Sequence, residues 1–179
     1  MFAAGAVDYQ VWRADGTPVT TLRSGGTPAW GMKWAPDGHT IAIGDENGLV
    51  ALYDLTGAQI AYSANNGSIS TLVWSPSGAT IAVSSVAGVR LIRVKDFGAV
   101  PQSIYSSGTM SVAWSPNGES LALAAPDRTV KVWSTKKQSV VTLDGCTDRS
   151  MIVAWSPNGK ELVAGLEGNS ACLWTNAAA

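Results

Sequence analysis

Acid–base chemistry in this chain would have to come from carboxylates, because imidazoles and thiols are scarce. His39 is the only histidine, and it follows a turn glycine, Gly38, which points to an exposed hairpin. Cys146 and Cys172 are the only cysteines; their separation fits no zinc spacing and two thiols make no disulfide framework, so a reduced, cytoplasmic protein is expected. The acidic candidates are Asp45, Glu46, Asp127 and Glu167, each near a predicted turn between strands. Carboxylates alone can do acid–base work, but no pair recurs at a spacing that demands it. Asp96-Phe97-Gly98 spells a kinase tripeptide without the Gly-rich loop, the ion-pairing Lys or the His-Arg-Asp run that kinase chemistry needs, and reads as a turn. No Gly-x-Ser-x-Gly and no phosphate-binding loop ending in Lys-Ser/Thr occurs. Neither a cofactor nor a metal is expected.

The elements that would position these residues follow from a repeat. Trp34-Ala35-Pro36-Asp37-Gly38, Trp74-Ser75-Pro76-Ser77-Gly78, Trp114-Ser115-Pro116-Asn117-Gly118 and Trp155-Ser156-Pro157-Asn158-Gly159 stand 40, 40 and 41 residues apart. A fixed period of that size marks one supersecondary unit used repeatedly. In the third copy, Met110–Trp114 is a short β-prone run. Pro116, Asn117 and Gly118 supply a tight hairpin: proline presets φ, asparagine tolerates the next position, and glycine accepts positive φ at the exit. Ser120–Ala124 is a nearly continuous apolar strand, Thr129–Trp133 alternates, and Ser139–Leu143 makes a fourth strand. The other copies keep this order, and no stretch shows a sustained helical period, so almost no helix is expected.

Four antiparallel strands per 40-residue unit describe a propeller blade. Ala113-Trp114-Ser115-Pro116-Asn117-Gly118, then Leu121-Ala122, then Asp127-Arg128-Thr129-Val130-Lys131-Val132-Trp133, resembles a WD40 repeat, and the resemblance runs over essentially the whole chain. It implies an all-β, WD40-type β-propeller of four to five four-stranded antiparallel blades. The departures are specific. No Gly-His pair precedes a first strand, and the tight-turn Asp survives only at Asp127, its counterparts being Asn47, Val86 and Gly168. The blades are therefore expected to hold by apolar packing and to be less rigid than those with the family's full hydrogen-bond network.

Counted this way, the chain is one propeller region: 1–23 a partial blade, 24–63, 64–107 and 108–143 full blades, and 144–176 a blade lacking its last strand. Four and a half blades leave an incomplete ring. A fragment of a longer propeller is favoured, with the missing blades from the same gene. A ring completed by a second chain and a self-closing chain with displaced strands are the alternatives.

The formal net charge of −1 comes with no basic stripe, which argues against binding nucleic acid through phosphates. No apolar run reaches the length of a spanning helix, and Met1-Phe2-Ala3-Ala4-Gly5-Ala6 lacks a positive n-region, so neither membrane nor signal peptide is expected. Asn66-Gly67-Ser68 is a formal glycosylation sequon with no secretory signal to support it.

The resemblance implies a non-catalytic scaffold that binds a protein or peptide on the face built by fourth-to-first and second-to-third strand loops. Asp45, Glu46, Arg128, Arg149 and Glu167 are the charged candidates there. Trp30 is the one tryptophan outside the repeat positions, where other copies have Ser70, Met110 and Met151. It is either an aromatic anchor for a partner or filling between blades. A propeller hydrolase or lyase with acidic residues at the central channel, and a purely structural subunit of a larger assembly, are the competing readings.

Overall fold

The computed structural model describes residues 2–4, 8–23, 27–64 and 67–177. Its five antiparallel sheets follow one another along the chain. The first holds β1 (Phe2–Ala4), β2 (Asp8–Trp12) and β3 (Pro18–Arg23). The second holds β4 (Ala29–Trp34), β5 (Thr40–Asp45), β6 (Leu49–Asp54) and β7 (Gln59–Ala64). The third holds β8 (Ile69–Trp74), β9 (Thr80–Ser85), β10 (Gly88–Arg93) and β11 (Gln102–Tyr105). The fourth runs through β12 (Ser111–Trp114), β13 (Ser120–Ala124), β14 (Val130–Ser134) and β15 (Ser139–Leu143). The fifth comprises β16 (Ser150–Trp155), β17 (Glu161–Leu166) and β18 (Ala171–Thr175). In every sheet the strands lie in chain order, so each is a meander. The sheets follow one another as blades of an open β-propeller.

The proline turns form as their residues dictate. Ser115 N donates to Ser120 O (2.8 Å), Gly118 N returns to Ser115 O (2.9 Å), and Gly118 sits at φ 71°. The Ser115 hydroxyl donates to Asn117 Oδ1 (2.7 Å) and accepts from Ser120 N (2.9 Å). Successive turns then stack: a Cβ added at Gly118 would lie 3.5 Å from Pro76 Cδ, and one at Gly159 would lie 3.5 Å from Pro116 Cδ.

Packing between sheets uses alternation. In the second sheet, Ala42 and Leu52 are paired across β5 and β6 and join the core shared with Ile69, Leu72, Ile81 and Ile92 of the third. Their neighbours Ile41 and Tyr53 face the other way and pack with Tyr9, Val11 and Leu22 of the first sheet. β5, β9 and β13 are buried on both faces, which explains their near-continuous apolar runs. Small residues let the sheets approach: a Cβ on Gly44 would fall 2.8 Å from Leu72 Cδ2 and 2.9 Å from Ile69 Cδ1. On the fifth sheet, Leu162, Ala164 and Val153 face the fourth, while Ile152, Val163 and Leu173 are exposed.

The expectation of almost no helix matches a single 3-10 turn over Val94–Asp96 among the described residues, and His39 is exposed. The reading of two unpaired thiols is corrected: Cys146 and Cys172 form a disulfide, their Cα atoms 5.6 Å apart. The reason is tertiary. The connection after β15 folds over β18, where Trp174 Nε1 donates to Asp144 O (3.2 Å), and this brings Cys146 beside Cys172. No described helix is long and apolar enough to cross a membrane. Asn66 of the sequon lies outside the described residues, as do Ser24–Gly26 and Asn65 of the fourth-to-first strand loops.

Candidate interaction surface

Four inner strands begin with the same irregularity. In the second sheet Ala29 pairs with Asp45 and Gly31 with Gly44, so Trp30 is an extra residue with no partner on β5. Ser70 is extra between Ile69 and Thr71, and Met151 between Ser150 and Ile152. In the fourth sheet Met110 N donates to Ala124 O (3.3 Å) while Ser111 pairs with the same Ala124. A bulge of this kind bends the strand and re-aims one side chain. Here the re-aimed side chains come out: Trp30 is 67% exposed, Met110 49% and Met151 39%.

Two sets of loops meet beside these bulges. Glu46 N donates to Pro28 O (3.3 Å) and Glu167 N to Arg149 O (3.1 Å), so the second-to-third strand turn is tied to the incoming connection in two sheets alike. Tyr9, buried under this rim, accepts Ala29 N at its hydroxyl (2.7 Å) and donates to Thr27 O (3.4 Å). Between the fourth and fifth sheets, Met110, Pro126, Arg149, Ser150, Met151 and Glu167 line a cavity of about 140 Å³. Val86, at the tip of the corresponding turn in the third sheet, is exposed.

The charged candidates separate by environment. Asp45 is buried, and its carboxylate accepts Asn47 N (2.9 Å) and Leu49 N (2.8 Å), so it braces its own turn. Glu46 and Arg128 are exposed, Arg128 in the left-handed region at φ 66°. Arg149 and Glu167 approach to 3.9 Å with both side chains more than half exposed, a solvent-screened pair of small energetic weight that a partner could re-pair. Asp127 accepts Thr129 N (3.2 Å) and the Thr129 hydroxyl (2.5 Å) and pairs with Lys131 (3.1 Å). Partial burial pushes the Asp127 pKa up, but these hydrogen bonds and the ammonium outweigh it and hold the carboxyl below its ordinary value. An acid held ionised this way is a turn brace. Burial, with Tyr9 and Asp45 nearby, raises the Tyr53 hydroxyl.

Thus Arg149 and Glu167 come together with two methionines, Trp30 stands exposed on the bulge row, and Asp45 turns inward. Met110, Met151 and Val86 join this surface beside the charged candidates. The signal for the methionines was their offset of four residues before a turn tryptophan, shared with Trp30. Among the described residues no group of His, Cys, Asp and Glu is placed to hold a metal ion.

The model of the WD domain, G-beta repeat, matches residues 16–54, 101–134 and 137–175, together more than half of the chain. Each matched segment begins in or just before the outer strand of one sheet and ends in or beside the third strand of the next. The sequence repeat and the sheet are therefore offset by one strand, which ties neighbouring sheets covalently. A comparison with curated proteins found no match. The repeated turns, the meandering four-stranded sheets and the three matched segments agree: the chain belongs to the WD40-repeat family.

Proposed function

We propose that the chain is a non-catalytic interaction module that binds a protein or peptide at the bulge row. WD40 repeats generally mediate protein–protein contacts. The observation that carries the reading for this surface is the repeated bulge, which presents Trp30, Met110 and Met151 to solvent from equivalent positions. Exposed tryptophan is a frequent hot-spot residue, and methionine adapts its shape to varied apolar side chains. Glu46, Arg128, Arg149 and Glu167 form a charged rim of both signs around them, suited to reading a peptide with mixed charge. Rigid sheets fix the spacing of these side chains, and the loops supply the chemistry.

Selection from a displayed random-peptide library tests this. Peptides enriched on the wild-type chain should lose binding at least about tenfold to Trp30→Ala or the Met110→Ala/Met151→Ala pair, the loss expected for an anchor residue. Enriched peptides that bind both variants unchanged would remove this surface from consideration.

A further inference from the structure

Polar side chains cross the outer margin of two of the seams between neighbouring sheets. Thr20, opposite Val11, donates its hydroxyl to Thr56 O (3.0 Å) across the seam of the first and second sheets. Gln102, opposite Leu91, donates Nε2 to Gln138 Oε1 (3.0 Å) across the seam of the third and fourth. The same rung in the second sheet, opposite Leu52, is Ala61, which has no group to bridge with. The seam between second and third sheets accordingly stands open as a trough of about 610 Å³, lined by all of β7 with Phe97 and Gly98. Ile60 and Tyr62 are exposed beside it, and the Ser63 hydroxyl, buried in its lining, has no hydrogen-bond partner.

β7 is also an outer edge strand with no charged side chain of its own to guard it. β3 begins with Pro18 and ends with Arg23, β11 has only four residues, and Lys131 reaches over β15 to Thr142 (3.2 Å). β7 carries no charge and no proline over six residues. An edge strand offers a row of unpaired amides and carbonyls that only another extended backbone satisfies. The trough holds no ionic group, so a charged guest would lose hydration without compensation.

We infer that β7 is a second docking site, which takes an uncharged, extended peptide segment as a fifth strand of this sheet. The guest continues the β6–β7 ladder, places alternate apolar side chains against Ile60, Tyr62 and Phe97, and brings backbone polar groups to Ser63. This site is separate from the bulge row.

The test is titration of the isotopically labelled chain with a capped hexapeptide of alternating valine and threonine, followed by amide NMR. Saturable shifts confined to residues 59–64 and 97–98, with a Kd of roughly 0.1–1 mM, are expected for a short added strand. Backbone N-methylation of the peptide should weaken binding at least about tenfold, because it removes the ladder donors. Tyr62→Lys should do the same, with Ile60→Lys as the second variant should the first fail to fold. Trp30→Ala should change nothing, so loss of the bulge-row function leaves this result intact. Absence of shifts up to about 2 mM, equal binding of the N-methylated peptide, or shifts centred on Trp30 would overturn the assignment.

Discussion

Trp155 Nε1 donates to Ala113 O at 3.1 Å, a hydrogen bond from one sheet into the backbone of its neighbour. Trp74 makes the same bond to Lys33 O (3.1 Å) two seams earlier. In each case the acceptor precedes the neighbour's turn tryptophan. Trp114, between them in the series, is the exception: its Nε1 is buried and unpaired, and its ring instead meets Trp133 edge-on at 6.5 Å. The recurring tryptophan is thus a seam fastener as well as a turn marker. Trp155→Phe should therefore destabilise the chain more than Trp114→Phe, by about 1–2 kcal/mol, since only the first loses a satisfied bond. Urea unfolding of the two variants reads the difference; equal losses would count against the fastener role.

Gly44 measures how closely the second and third sheets pack. A methyl there would meet Leu72 and Ile69 side chains inside van der Waals distance. Gly44→Ala should cost about 1–3 kcal/mol through overpacking. Thermal unfolding would show it, and pairing with Leu72→Val should recover part of the loss.

The disulfide closes a 26-residue separation between the rim connection and β18. Denatured, unreduced protein should contain no thiol that reacts with a maleimide, and reduction should release two. The Cys146→Ser/Cys172→Ser variant should lose stability on the order of 3 kcal/mol, the typical size for a loop of this length. Free thiols in oxidised protein would contradict the pairing.

Three turn aspartates should make the fold acid-sensitive. Hydrogen bonding from the Thr17 backbone lowers Asp15, the Thr56 hydroxyl lowers Asp54, and Asp127 is lowered despite its partial burial. Each folded-state pKa lies below the unfolded one, so each contributes stability that is present above about pH 4 and is lost as pH falls through the folded value. The melting temperature should hold from neutral pH to about 5 and then fall. Replacing Asp54 and Asp127 with Asn should lower the melting temperature at neutral pH and flatten the acid limb; an unchanged limb would show that other groups control it.

The strands were legible because their cause is local. Ser120–Ala124 and Ser139–Leu143 form where the residue pattern places them, and Ser115-Pro116-Asn117-Gly118 carries its own turn geometry in proline, asparagine and glycine. The period of about 40 residues, seen in the tryptophans, is repeated in the sheets for the same reason. Local sequence also marked Trp30 as out of place, though it left open whether the ring filled a gap or stood exposed.

Contacts between residues far apart in the chain decided the rest. The bulge that turns Trp30 outward depends on β5 having one residue fewer to pair. Cys146 meets Cys172 because a connection folds over a strand 26 residues on. The trough at β7 opens because Ala61 occupies a rung where Thr20 and Gln102 reach across. Periodicity and turn chemistry act over a few residues and so are written in sequence; register across strands and proximity across seams exist only once the sheets are packed.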